Sequence, residues 1–271
     1  MKMKRTMVCL TALLMVCGAA TAAEWINGDG DRNAAGGGNW NAPLVPGEWL
    51  WVHTLGGVPM DQMPILDSDV SALALGNTIV GFNGTAGGSL DLDAGGKLNI
   101  SELKIGWDDT TGPGVGVVSL NDATSEMWVG YMEIGNGGID ATLNNSGVIH
   151  GARLYVGGWD GADDPGTGQV NLLGGDLWVA EDGQFKVSAD SNVDITDGRL
   201  ILAGDQTALV NALLVDDRLT GFGASADSNI QIDLATYGGW TTVTAIPEPA
   251  TLGMVALFGT GMLWVRKRRM I

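Results

Sequence analysis

Beyond residue 17 the chain has no cysteine; its two, Cys9 and Cys17, share one N-terminal segment. With that segment removed, neither a disulfide framework nor a thiolate metal site can form, and packing and backbone hydrogen bonds must supply stability. Bases are scarce where acids are not. Of 14 lysines and arginines, seven stand at the ends (Lys2, Lys4, Arg5, Arg266, Lys267, Arg268 and Arg269), so the 31 acids, all between Glu24 and Glu248, face only seven bases. A surface of that sign repels phosphate backbones, which excludes nucleic acid as a partner. It suits solubility, cation binding or a hydrated matrix. Histidine occurs twice, as His53 and His150. Neither lies near a Gly-x-Ser-x-Gly or comparable nucleophile pattern, and both read as ordinary strand residues. Helical periodicity is nearly missing between Glu24 and Gly204.

What fills that stretch is glycine, 43 in the whole chain, among short apolar runs. One signature recurs: Leu103-Lys-Ile-Gly, Met127-Trp-Val-Gly, Leu154-Tyr-Val-Gly, Leu177-Trp-Val-Ala and Leu200-Ile-Leu-Ala, at steps of 24, 27, 23 and 23 residues. A second series precedes it: Leu90-Asp-Leu, Val118-Ser-Leu, Ala141-Thr-Leu, Val170-Asn-Leu and Val193-Asp-Ile, with Leu73-Ala-Leu-Gly as an earlier member. Such a period of apolar-x-apolar triplets predicts an all-β fold, a β-helix or solenoid of short strands. Outer members of each triplet point inward and the middle one outward, so Leu103, Met127, Leu154, Leu177 and Leu200 are expected in one interior column. Glycine and asparagine serve the corners. The Leu-x-x-Leu-x-Leu spacing of leucine-rich repeats is missing; a β-sandwich is the remaining rival. An open solenoid end must be covered. Gln206 to Val215 has helical spacing, with Asp205 to cap its start and Gly221 to close the segment, and predicts a short C-terminal capping helix. Two strands follow in "NIQIDLATYGGWTTVTA".

The two ends read as addresses. Lys2, Lys4 and Arg5, the apolar run Met7 to Val16 and the small residues Ala20-Thr21-Ala22 predict a signal peptide, cut between Ala22 and Glu24. At the other end Thr251 to Val265 carries no charge. That is short for a membrane helix but extended by snorkelling bases, and the basic cluster should stay inside the cell. Expected organisation is a signal peptide over 1–23, a solenoid over 24–204, a cap over 205–244 and a sorting signal over 245–271. Pro247-Glu248-Pro249-Ala250, an apolar segment and the terminal bases Arg266, Lys267, Arg268 and Arg269 together resemble the PEP-CTERM sorting signal of Gram-negative bacteria. The resemblance implies an exosortase as partner and cleavage near the motif. It also implies transient anchoring in the inner membrane through the C-terminal helix, then residence at the cell surface, outer membrane or extracellular matrix, alongside exopolysaccharide. Trp25, Trp40 and Pro46 resemble the opening of Gly-rich, autotransporter-like passenger solenoids.

Chemistry is thinly marked. Asp108-Asp109 and Asp163-Asp164 sit in equivalent loops. A repeated acidic loop reads as a solvated turn before it reads as the carboxylate pair of a polysaccharide lyase or hydrolase. Asn27, Asp29, Asp31 and Asn33 alternate as calcium ligands do, but Arg32 and Gly38 stand where an EF-hand loop needs Gly and Glu. The expectation is therefore no catalytic residue, no metal site and no cofactor, calcium being the weak exception. Trp128, Tyr155 and Trp178 are the middle residues of three triplets. They predict an outward aromatic column that contacts glycan, bordered by Trp107 and Trp159, or else a cross-strand ladder that only stabilises. The function expected is that of an exported surface or biofilm-matrix protein, structural or adhesive. A carbohydrate-binding module and a polysaccharide-degrading enzyme are the alternatives. Mass spectrometry of the mature protein should find an N-terminus between Ala22 and Glu24 and a C-terminus near Pro249. An intact Arg269 in a membrane fraction would instead mean permanent anchoring.

Overall fold

The computed structural model describes residues 23–27, 32–35, 39–53, 59–82, 87–107, 115–136, 139–158, 166–224 and 229–246. The signal peptide and sorting signal expected at the ends lie outside them, as do Asp29, Asp31, Asp108, Asp109, Trp159, Asp163 and Asp164.

Alternating side chains give each strand one buried and one outer face. In Lys97–Trp107 Leu98 and Ile100 are buried, Ser101 and Glu102 both turn from the core, and burial resumes at Leu103 and Ile105. That skipped beat bends the strand. It recurs between Val129 and Met132 in Glu126–Ile134 and between Gly151 and Leu154 in Val148–Val156. One turn later it widens into a loop separating Asp176–Val179 from Phe185–Val187. A third segment completes each turn: Gly88–Leu92, Val115–Leu120, Asp140–Asn145, Thr167–Leu172 and Asn192–Ile195. The chain is mostly β, a solenoid of about six turns with one short helix.

Successive turns pair in parallel and in register, forming an 11-stranded and a 7-stranded sheet around one core. All backbone donors along a strand thereby find acceptors on the turns above and below. At the end of the second side Gly106, Gly135 and Gly157 take φ of 61°, 75° and 87°. A Cβ on Gly157 would lie 1.7 Å from Ser188 Oγ, so side chains are excluded there by both conformation and space.

The interior columns differ from the single one expected. Met127, Leu177 and Leu200 do align, but with Leu98 and Ile149, on the first side of the turn. Leu103 and Leu154 align with Met132 and Phe185 on the second. All five named residues are fully buried. Triplets of the first and second sides share one inward-outward-inward pattern, so the linear order does not separate them, and Met132-Glu-Ile-Gly135 is the second-side member between Leu103 and Leu154. On the third side Leu143, not Ala141, sits beside Val118 and Val170. The third inner position of that turn is Asn145, fully buried, whose Nδ2 donates to the Asp176 carbonyl and whose Oδ1 accepts from Gly147 N–H.

The helix runs Thr207–Val215, with Asp205 Oδ1 accepting from Thr207 N–H at 3.1 Å. Val210, Leu213 and Leu214 join the core cluster. Gly221 does not close it, contrary to expectation: it lies in the strand Leu219–Gly221 beside Asn192–Ile195, and Asp217, at φ 57°, marks the turn after the helix. Ile230–Asp233 and Trp240–Ala245 pair antiparallel as the two expected strands, and Trp240–Ala245 lies antiparallel on Arg199–Ala203. At the opposite end Trp25 and Trp40 meet edge-on at 5.1 Å, their indoles donating to the Gln62 and Ala34 carbonyls. Leu177→Ala, which empties a position between Ile149 and Leu200, should cost about 2–5 kcal/mol in urea unfolding.

Candidate functional site

The outward residues of the first side form two columns. One is charged: Lys97, Glu126, Val148, Asp176, Arg199. Lys97 Nζ lies 3.1 Å from Glu126 Oε2, and Arg199 grips both oxygens of Asp176 at 2.7 and 2.5 Å. The other is Asn99, Trp128, His150, Trp178, Ile201. His150 stacks between the indoles, its centroid 5.7 Å from Trp128 and 6.3 Å from Trp178, with interplanar angles of 15° and 23°. Its Nε2 is 3.2 Å from Glu126 Oε1, which ties the aromatic column to the charged one. Centroid distances above the strand spacing of about 4.8 Å mean that the rings overlap in an offset fashion. All three are only part-buried. Trp240 closes over Trp178 edge-on at 5.4 Å, and Tyr237 packs against it at 5.0 Å.

A groove of roughly 360 Å³ runs beside this stack. Trp128, His150 and Trp178 line one flank, Gly130, Ala152 and Ala180 its floor, with Asn99 and Trp240 also on its lining. The floor residues follow the last buried position of the first side, where the chain turns its corner. Small side chains there leave the aromatic flank standing free. Among the described residues no Asp, Glu, Lys or Arg lines the groove.

Tyr155 is not in this column. It lies on the second side between Glu133 and Lys186, 7% exposed, donating from Oη to Gln184 Oε1 at 2.5 Å. The expected aromatic triad is thus replaced by Trp128, His150 and Trp178. Ile149-His150-Gly151 is the first-side triplet between those of the two tryptophans, with glycine in its third, inward position. Trp107 does not border the groove either. It stacks on Phe82 at 5.5 Å, Phe82 meets Trp51 at 4.9 Å, and Lys104 Nζ sits 4.7 Å from the Trp107 ring, a second aromatic ladder that the sequence did not disclose.

Of the other marked residues, His53 is buried, with Glu24 Oε1 3.8 Å from its Nε2; burial pushes its imidazole below the ordinary range against the pull of that carboxylate. Asn27 Oδ1 accepts from Arg32 N–H and Asn33 Oδ1 from Ala35 N–H. Among the described residues no three His, Cys, Asp or Glu side chains gather as a metal-binding group, and no helix is long and apolar enough to cross a membrane. The sorting residues Pro247, Glu248 and Pro249 and the bases Arg266, Lys267, Arg268 and Arg269 lie outside the described residues.

No protein-family model, curated protein or solved structure matches this chain.

Beside Tyr155, Tyr131 is half-buried, and burial, then Glu133, raise its phenol well above the ordinary range. A raised folded pKa stabilises the fold fully below the unfolded phenol pKa, and that contribution is lost as pH climbs from there toward the folded value. In alkaline absorbance titration Tyr131 should therefore stay protonated until the fold is lost, and Tyr131→Phe should remove that late component.

Proposed function

We propose that this is an exported β-solenoid of the cell surface or a secreted polysaccharide matrix, structural in its coil and adhesive through the aromatic groove of its first side. Export and sorting rest on the two ends: a signal peptide at the start, and a tail that an exosortase would process after transient anchoring in the inner membrane. The acidic body suits a hydrated matrix. The observation that carries the adhesive part is the part-exposed Trp128–His150–Trp178 stack along an uncharged groove. Aromatic surface beside small residues gives the C–H faces of a sugar ring a dry place to rest. The Asp108-Asp109 and Asp163-Asp164 loops supply no comparable argument for catalysis, and we read the chain as a non-enzyme.

The offset ring stack also favours a second reading, in which the aromatics only bind turn to turn. Each aromatic pair contributes about 0.5–1.5 kcal/mol of that kind. The double variant Trp128→Ala/Trp178→Ala separates the two. Adhesion predicts lost retention on the producer's own polysaccharide with the solenoid still folded by circular dichroism; lowered melting temperature with unchanged retention leaves only the ladder.

A further inference from the structure

The groove has a direction, a length and a sign, and these narrow its ligand. It runs along the solenoid axis, because its flank is built from one residue of each successive turn, Trp128, His150 and Trp178. With a spacing of about 4.8 Å per turn, the first and third of these residues stand about 10 Å apart. Trp240 stands at the far end, brought there by the antiparallel strand Trp240–Ala245 and packed edge-on against Trp178. At the near end stands Asn99, a polar residue with both donor and acceptor atoms.

Charge excludes a polyanion twice. Among the described residues no Lys or Arg reaches the lining to pair with an acidic sugar. The nearest carboxylate on the flank, Glu126, is held by Lys97 and His150, and on the second side Arg153 and Glu181 pair with each other at 2.5 Å. Beyond these pairs the 31 acids give the body a strongly negative field, which lowers the local concentration of an anionic polymer. Shape excludes a coiling polymer. A straight axial trough with one small residue per turn on its floor accepts a chain that advances by about one ring length per turn. Among polysaccharides this is the behaviour of equatorially linked, extended pyranose chains.

Resting on the adhesive reading above, we propose that the groove holds the terminus of a neutral, extended, β-1,4-type glycan. About three sugar residues lie along the axis against Trp128, His150 and Trp178, with Trp240 as the stop. Asn99 faces the side where the chain leaves.

The test is titration calorimetry of the full chain in detergent with cello- and chito-oligosaccharides of two to six residues, against oligogalacturonate of equal length. Affinity should rise to three residues and level off, with the anionic series weaker by roughly tenfold or more at low salt. Ala180→Arg fills the floor at an exposed position that is not itself part of the ring stack, and should abolish binding while circular dichroism is unchanged. Trp240→Ala should let affinity climb on through four to six residues. A wild-type affinity that keeps rising past three, equal binding of the anionic series, or full binding by Ala180→Arg overturns this ligand assignment and leaves adhesion standing. Failure of every oligosaccharide, neutral and charged, overturns the adhesive reading as well.

Discussion

A strand of four to six residues can satisfy its amides only if a neighbour lies at the same register on each side, and in this chain that neighbour is the next turn of the same coil. In-register parallel stacking is the constraint from which the other features follow. It carries like positions into columns, so one apolar residue per turn becomes a continuous interior file. The same rule lines up the outward residues, and what is a scatter of Trp, His and Trp along the sequence becomes a ring stack. Corners are the cost. Gly106, Gly135 and Gly157 stand where the second side ends, in backbone conformations that other residues rarely adopt.

The solenoid class was legible because strand alternation and near-regular spacing survive in the linear order. Column membership was not. Loops between turns vary in length, and triplets from the first and second sides carry the same code, so Leu103 and Leu154 read as partners of Met127 and Leu177 though a corner separates them. Asn145 hid a true inner position, since a buried amide looks like a turn residue until its partners, the Asp176 carbonyl and Gly147 N–H, are seen. Helical spacing marks the start of the terminal helix to within one residue, but its N-cap is Gln206, with Asp205 one position earlier accepting from Thr207 N–H. Its exit was misplaced because Gly221 is a strand glycine and Asp217 takes the left-handed turn instead.

The groove was half legible. Trp128 and Trp178 read in the sequence as middle residues of apolar triplets, and both lie on the first side. The same rule picks Tyr155 from the second side and does not pick His150, where glycine replaces the third apolar residue of the triplet. Trp240 could not be anticipated from periodicity at all. It reaches Trp178 only because the last strand comes back antiparallel.

That reversal has a further consequence. A coil whose last rung were parallel would offer the next molecule the same hydrogen-bonding template it offers itself, and could grow end to end into a fibre. Here the direction flips at Trp240–Ala245, and the outermost strand, Ile230–Asp233, is four residues long and finishes in an acidic side chain that accepts from Ala235 N–H to start a bend. Such an edge mismatches an incoming parallel turn and repels it by charge. On this sheet the coil therefore ends in an edge that offers an incoming parallel turn no matching template, whereas the third side still finishes on the parallel strand Leu219–Gly221.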